Sequence, residues 1–160
     1  PKFDYIQGRI LSFFDRETGT HNFQSDKAID SITSGGFFGK GIGEGILKNR
    51  VPEAHTDYII SVISEEFGVV AIMLILLLFL IFIYMVFKKI SFETDDKTKL
   101  ILIGSISLIL MQATIHIGVN IRLFPTTGMT LPFLSYGGSS IISTSILAGI
   151  ILNLTKRKIN

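Results

Sequence analysis

The stretch FGVVAIMLILLLFLIFIYMVF, residues 67–87, decides the class of fold. Its 21 residues include no Asp, Glu, Lys or Arg, and apolar side chains occur at every helical position rather than along one face. A helix needs about 20 apolar residues to cross the hydrocarbon core of a bilayer. A helix that is apolar all round is buried in protein or lies in lipid. The stretch therefore predicts a transmembrane helix.

Two further stretches, residues 100–121 and 123–155, also lack charged side chains. Each is long enough to span a bilayer, and we expect helices over 100–119 and 137–154. The sequence thus predicts an all-α polytopic membrane protein with three transmembrane helices. The remaining segments are a polar region, two loops and a tail: 1–66, 88–99, 120–136 and 155–160.

The distribution of charge predicts how these segments are oriented. Residues 1–66 hold 7 Lys and Arg against 10 Asp and Glu, whereas loop 88–99 holds 4 Lys against 3 acids and the tail is basic. Lys and Arg in short loops stay in the cytoplasm. We therefore expect 88–99 and 155–160 inside, and 1–66 and 120–136 outside. The overall charge of +2 gives no indication of nucleic-acid binding, and the absence of cysteine excludes disulfides and thiolate metal sites.

The start of the chain leads to one further expectation. The sequence begins with Pro1, and no signal peptide precedes the predicted extracytoplasmic region. We expect an upstream segment to carry this region across the membrane, which would make the chain part of a larger membrane protein.

A glycine-rich segment, GGFFGKGIGEG (35–45), has six glycines in 11 residues. A Walker A motif needs Gly five residues before its Gly-Lys pair and Ser or Thr after it, but Ser34 and Gly41 occupy those positions. The segment is therefore expected to be a loop with positive φ at several glycines. Its N–H groups could also hold an anionic head group, helped by three basic residues: Lys40, Lys48 and Arg50.

Residues 51–68, VPEAHTDYIISVISEEFG, place titratable groups directly before the first apolar span. We expect a helix to begin near Thr56 as N-cap. Asp57, Ser61, Ser64 and Gly68 then share one polar stripe that points away from lipid. From the residues alone, Asp57 is either a helix cap or a functional carboxylate. Glu65 and Glu66 are expected at the membrane interface or paired with residues outside this chain.

The second span carries a polar face of its own, formed by Ser105, Gln112, His116 and Asn120. Polar groups within a span usually face protein or a water-filled cavity. Interhelical hydrogen bonding explains this face, and a proton relay through His116 is the alternative.

Residues 123–140, LFPTTGMTLPFLSYGGSS, contain two prolines and three glycines but no charge. Proline and glycine break a continuous helix, and irregular backbone at membrane depth must be buried in protein or line a cavity. We therefore predict a re-entrant loop whose path is set by Pro132 and the Gly137-Gly138 pair, with positive φ at Gly138. It offers the hydroxyls of Ser135 and Tyr136.

Three of these segments resemble one family, the SEDS membrane glycosyltransferases. They are GGFFGKGIGEG, PEAHTDYIISVISEEFG (52–68) and FPTTGMTLPFLSYGGSS (124–140). The family comprises the peptidoglycan polymerases of cell division, the FtsW branch, and of elongation, the RodA branch; the wording PTTGMTLPF is more similar to the division branch. The resemblance implies a ten-span fold of which this chain matches the last three spans. His116 departs from the pattern, which usually has Asn there.

The resemblance also implies a reaction. The family polymerises lipid II into glycan strands, and its catalytic position falls on Asp57, which would act as general base. Glu53, His55 and Thr56 would assist at the substrate, together with Ser135 and Tyr136. Lys40, Lys48 and Arg50 would neutralise the diphosphate leaving group. No cofactor is certain, although a divalent cation, Mg²⁺ or Mn²⁺, could do the same with Glu53 and Asp57 as oxygen ligands.

Partners and place follow from the same resemblance. We expect lipid II, the growing glycan strand, a class B penicillin-binding transpeptidase and other division proteins as partners, in the bacterial cytoplasmic membrane at the division site. Two other functions stay open. One is a flippase for the same lipid-linked precursor, because broken segments also line transport sites; the other is a non-catalytic division scaffold.

Overall fold

The computed structural model describes residues 20–47, 51 and 54–156. Within these residues the chain forms four helices: α1 (Thr20–Gly35), α2 (Ile59–Phe92), α3 (Asp96–Asn120) and α4 (Gly138–Thr155). The last three are each long and apolar enough to cross a membrane. The predicted all-α membrane fold with three transmembrane helices is confirmed.

Two of the helices, α2 and α3, are longer than the charge-free stretches that predicted them, whereas α4 has the predicted length of 18 residues. α2 begins eight residues before 67–87 and ends five residues after it, and α3 likewise extends beyond 100–119. A short connection separates α2 from α3, where the Asp95 carboxylate accepts a hydrogen bond from the N–H of Thr98 at 3.1 Å and caps α3. The positions at which the bilayer surfaces cross these helices stay a prediction.

α2 is divided by a kink at Gly68, whose φ of 79° and ψ of −177° are not helical. Its first part, Ile59–Phe67, follows a series of turns over residues 54–58. The expectation that Thr56 caps the helix is wrong, because α2 begins after Tyr58 and has no side-chain cap. The carbonyl group of Thr56 is instead bonded to distant residues, as described below, and this draws the chain into the turns.

Three apolar clusters of described residues hold the helices together, and the smallest, Ile60, Ala113 and Leu131, joins α2 and α3 to the segment before α4. One joins α2, α3 and α4 and contains Val86, Leu102, Ile106, Ile109 and Ile151. Another packs α1 and three residues that follow the glycine-rich loop against the start of α2 and the end of α3; its members are Ala28, Leu47, Val51, Ala54, Tyr58, Val62 and Val119. This last cluster lies beneath residues 54–58 and supports their backbone.

The segment between α3 and α4 is irregular, as the prolines and glycines predict. Its positive φ angles fall on Arg122 (59°), Gly128 (71°) and Phe133 (66°). The expectation of positive φ at Gly138 is wrong, because Gly138 is the first residue of α4 and Gly137 before it is extended. Leu131 and Ser135 are buried, so the segment packs against the helices at these two points.

Candidate functional site

The site begins with residues 54–58, which we call the Asp57 turn. Asp57 is 7% exposed and precedes the first residue of α2. Ala54 and Tyr58 on either side of it are fully buried in the cluster with α1. The backbone of the turn therefore stands on a packed apolar base.

Asn120 connects the turn to α2 and α3. Its Oδ1 accepts hydrogen bonds from the N–H of Ser61 at 3.2 Å and from the Ser61 hydroxyl at 2.7 Å. Its Nδ2 donates to the carbonyl oxygens of Asp57 and His116, both at 2.9 Å. A backbone N–H only donates and a carbonyl only accepts, so these partners determine the orientation of the amide.

His116 contacts the turn through one ring nitrogen. Nε2 lies 3.2 Å from the carbonyl oxygen of Thr56, which can only accept, so Nε2 carries a proton and donates it. His116 is fully buried, and this bond holds the turn against α3. The bonds of His116 and Asn120 tie α3 to the turn and to α2, and a proton relay through His116 stays a prediction.

The irregular segment before α4 supplies the remaining contacts to the turn. The Ser135 hydroxyl donates to the carbonyl oxygen of Thr56 at 2.8 Å and accepts from the N–H of Leu131 at 2.8 Å. The N–H of Tyr136 donates to the carbonyl oxygen of His55 at 3.1 Å. Three consecutive carbonyls, those of residues 55, 56 and 57, are thus bonded to α3 or to this segment.

A cavity of about 480 Å³ opens beside the turn and is lined by His55, Ile59, Leu134 and Tyr136. The side chains of His55 and Tyr136 are exposed, whereas the side chain of Ser135, which bonds to Thr56, is buried. Of the predicted substrate residues, His55, Thr56, Ser135 and Tyr136 therefore meet at the Asp57 turn. His55 and Tyr136 can reach a ligand, and Ser135 supports the backbone.

Lys40 lies elsewhere, in the glycine-rich loop. Its Nζ is 3.0 Å from Glu65 Oε1, and Glu65 Oε2 accepts from the N–H groups of Ile46 and Leu47 at 3.1 and 3.0 Å. Glu65 is only 2% exposed. The expectation that Glu65 pairs outside this chain is wrong, because Lys40, Ile46 and Leu47 supply three donors to its carboxylate. The position of Glu65 and Glu66 at the membrane interface stays a prediction.

Three predicted residues, Glu53, Lys48 and Arg50, lie outside the described residues. Among the residues that are described, no group of three or more His, Asp or Glu side chains is arranged to hold a metal ion. A cation between Glu53 and Asp57 stays a prediction.

Gln112 shares a face with His116 in the sequence but acts at a different place. Its Nε2 donates to the carbonyl oxygen of Thr130 at 2.9 Å and to the Ser140 hydroxyl at 3.0 Å. These bonds tie the irregular segment to α3 and α4, beside a cleft of about 500 Å³.

The sequence did not reveal the parts played by Asn120 and Glu65. The available signal for Asn120 was a polar side chain four residues after a histidine within a predicted span.

The fold and this site define a polytopic membrane protein with a buried carboxylate turn at the start of a membrane-spanning helix. The profile of the FtsW/RodA/SpoVE family, described as cell cycle proteins, matches residues 2–160, and the chain belongs to this family. This agrees with the resemblance seen in the sequence.

Named relatives agree with this assignment. The chain is 37% identical over 158 residues to the probable peptidoglycan glycosyltransferase FtsW of Caulobacter vibrioides, covering 98% of this chain and 40% of the relative. It is 42% identical over 157 residues to the protein of the same name from Francisella salina, covering 94% of this chain and 39% of the relative. The chain thus spans about two fifths of the length of these relatives.

A solved structure is similar as well. A chain in a peptidoglycan synthase complex that coordinates polymerization and crosslinking superimposes with a TM-score of 0.72 at 28% identity, covering 94% of this chain and 41% of that one. The helices and the irregular segments described above therefore have a counterpart of known structure.

Proposed function

We propose that the whole protein is a peptidoglycan glycosyltransferase that polymerises lipid II into glycan strands during cell division, with Asp57 as general base. The relatives are named as probable enzymes of this kind. The observation that carries the proposal is the Asp57 turn, in which three consecutive carbonyls are bonded to other elements while the cavity beside them stays open.

The reaction requires a base at the acceptor sugar. The 4-hydroxyl oxygen of the acceptor attacks the anomeric carbon of the donor, and a new carbon–oxygen bond forms. The bond from that carbon to the diphosphate breaks, undecaprenyl diphosphate leaves, and the configuration inverts. The hydroxyl proton passes to the Asp57 carboxylate, a step that typically contributes about 10²–10⁴-fold to the rate.

The surrounding residues position this base. Displacement of a reacting group by about 1 Å can cost about 10²-fold, and the bonds from Asn120, His116 and Ser135 restrict such movement of the turn. His55 and Tyr136 line the adjoining cavity and would contact the sugars. Thr56 contributes its carbonyl to this network.

Charge at the leaving group forms a separate part of the proposal. Lys48 and Arg50 would neutralise the diphosphate there, whereas Lys40 is already paired with Glu65. Glu53 would assist at the substrate beside Asp57. Glu53 and Asp57 could also provide two oxygen ligands to Mg²⁺ or Mn²⁺, which would neutralise the diphosphate when bound. Polymerisation that is unchanged after chelation of divalent cations would exclude a required ion.

We further propose the orientation that the charge distribution favours, with 1–66 and 120–136 outside and 88–99 and 155–160 inside the bacterial cytoplasmic membrane. The chain contains no cysteine, so Thr94→Cys provides a unique label site within it. Labelling of that cysteine from outside intact cells by an impermeant reagent would reverse the assignment.

The proposed partners are a class B penicillin-binding transpeptidase and other division proteins at the division site. The similar solved chain belongs to a complex that coordinates polymerization and crosslinking, which supports a partner of the transpeptidase type. Co-purification of the full-length protein with such a transpeptidase from dividing cells tests this.

The test of the base is Asp57→Asn in the full-length protein with its transpeptidase. Asn keeps the size of the side chain but lacks the basic oxygen, so we expect at least an about 10²-fold loss of glycan strands from labelled lipid II. Lipid II binding should be retained. Near-normal strands would remove Asp57 from the mechanism.

Two other functions predict different outcomes of the same variant. A flippase would translocate labelled lipid II without forming glycosidic bonds. A scaffold would support division with Asp57→Ala as it does with the unaltered protein. Loss of strands with intact recruitment of division proteins would favour the enzyme over both.

A further inference from the structure

The kink at Gly68 leaves backbone groups of α2 without their helical partners, and the glycine-rich loop replaces them. In a regular helix the carbonyls of Glu65 and Glu66 would accept from Val69 and Val70. Here the N–H groups of Lys40 and Gly41 donate to those carbonyls at 2.9 and 3.0 Å. The carbonyls of Gly36 and Phe37 accept from Val69 and Val70 at 3.0 and 3.3 Å.

The loop approaches the kink too closely for side chains at the contact. A Cβ atom on Gly39 would lie 2.2 Å from the carbonyl oxygen of Glu66, and one on Gly68 would lie 2.2 Å from the carbonyl oxygen of Phe37. The loop is therefore held at one height along α2.

That height is at the edge of the hydrocarbon core. From Val69 to Phe87 the helix has 19 residues, which at about 1.5 Å each span about 28 Å. A bilayer core is about 30 Å thick, and the charged Lys88 follows directly after Phe87. Val69 and Val70, which bond the loop, thus lie at the opposite surface of the core.

The two side chains of the loop at this height are large, apolar and exposed. Phe37 is 75% exposed and Phe38 is 85% exposed. Next to them Val70 is 52% exposed, and the outward surface of α2 continues from there with exposed Met73, Leu74 and Leu77. The two phenylalanines are therefore continuous with the exposed apolar surface of α2.

We propose that the glycine-rich loop is a membrane anchor, with Phe37 and Phe38 inserted among the lipids of the leaflet at the Val69 end of α2. Apolar side chains in this position bury themselves about 5–10 Å into the boundary between head groups and acyl chains. The backbone of the loop can follow because four of its polar groups, two carbonyls and two N–H groups, are bonded to the kink rather than to water. The anchor sets the depth of the kink and is independent of the chemistry at Asp57.

Tryptophan fluorescence tests this depth, because residues 1–160 contain no tryptophan. Phe38→Trp is made in the full-length protein, with any tryptophan outside these residues replaced by Phe. The protein is placed in phosphatidylcholine vesicles whose acyl chains are brominated either near the carbonyl end or near the methyl end. Leu77→Trp, in the middle of the apolar span, and Asp30→Trp, at an exposed position of α1, are the matched references.

We expect the Phe38→Trp emission to shift to the blue and to be quenched most by bromine near the carbonyl end. The Leu77→Trp emission should be quenched most by bromine near the methyl end, and the Asp30→Trp emission by neither. Emission from Phe38→Trp that behaves like the Asp30→Trp reference would place the loop in water and overturn the proposal. A blue-shifted emission that neither brominated lipid quenches would show that protein covers the loop, and would overturn it equally.

Discussion

The Asp57 turn and the glycine-rich loop flank the same short helical part of α2, Ile59–Phe67, but they are held in different ways. In the turn, backbone carbonyls are bonded largely by side chains, those of Asn120, His116 and Ser135. In the loop, backbone groups are bonded to backbone groups of α2, and close approach depends on glycine. The turn thus depends on particular side chains, whereas the loop depends on glycines, because a Cβ atom would not fit where the loop contacts α2.

The difference has a common cause. Backbone groups that leave regular structure near a membrane need partners within the protein. A side chain brings one partner to a chosen atom and leaves room beside it for a cavity, as at His55 and Tyr136. Direct backbone pairing satisfies several groups at once but leaves no space. The first arrangement suits a site that binds a ligand, and the second suits an anchor.

The largest expected effect is on the loop. Gly39→Ala should lower the free energy of unfolding by about 3 kcal/mol, because its Cβ would collide with the carbonyl of Glu66 and its φ of 78° disfavours a side chain. Gly36→Ala is the control, since φ is also positive there but nothing lies within 4 Å; it should cost only about 1 kcal/mol. The measurement is thermal unfolding of both variants in detergent, and equal losses would contradict the close-packing argument.

The next effect is on the turn. Asn120→Ala removes both donors and the acceptor, and unpaired buried groups such as the carbonyl of Asp57 should cost about 2 kcal/mol. If the turn shifts by about 1 Å, kcat should fall by about 10²-fold while KM for lipid II changes little.

Gln112→Ala serves as the control for Asn120→Ala. It removes a comparable tie between α3 and the irregular segment, so stability should fall without the loss of kcat. An equal fall of kcat in both variants would mean that Asn120 has only a structural part.

A smaller effect is expected for the ion pair between Lys40 and Glu65. Lys40→Met should lower the free energy of unfolding by about 1–2 kcal/mol. This loss lies between the values for exposed and for fully buried ion pairs, because Glu65 is buried whereas Lys40 is half-exposed. Lys89→Met breaks the more accessible pair with Glu93 and should have almost no effect. KM for lipid II distinguishes two roles of Lys40, stabilisation of the fold through Glu65 and binding of the diphosphate. A raised KM with unchanged stability would indicate that Lys40 binds the diphosphate.

The smallest effect is within the polar stripe of α2. The Ser64 hydroxyl is buried and has no hydrogen-bond partner among the described residues, so Ser64→Ala should be neutral or slightly stabilising. Ser61→Ala removes the bond to Asn120 and should cost about 1 kcal/mol. Thermal unfolding of the two variants side by side measures the difference, and a larger loss at Ser64 would reveal a partner outside the described residues.

The amino-acid sequence by itself determined the parts of this protein that depend on local composition. Charge-free stretches long enough for a bilayer predict the three spanning helices, because the length of an apolar stretch alone decides whether it can cross the hydrocarbon core. The irregular segment before α4 follows from its prolines and glycines in the same way. The spacing of Ser61 and Ser64 on one face of α2 follows from the helical period, whereas Asp57, expected on the same stripe, lies in the turn before the helix.

The tertiary structure alone decided which polar groups meet. Asn120 bonds to Ser61 and Asp57, which lie 59 and 63 positions before it in the sequence. Ser135 bonds to the carbonyl of Thr56, 79 positions before it. Lys40 pairs with Glu65, the helix begins after Tyr58 rather than at Thr56, and positive φ falls on Phe133 rather than on Gly138. A hydrogen bond depends on the distance and angle between donor and acceptor. When the two partners lie on different helices or segments, the number of residues between them does not determine that distance or angle.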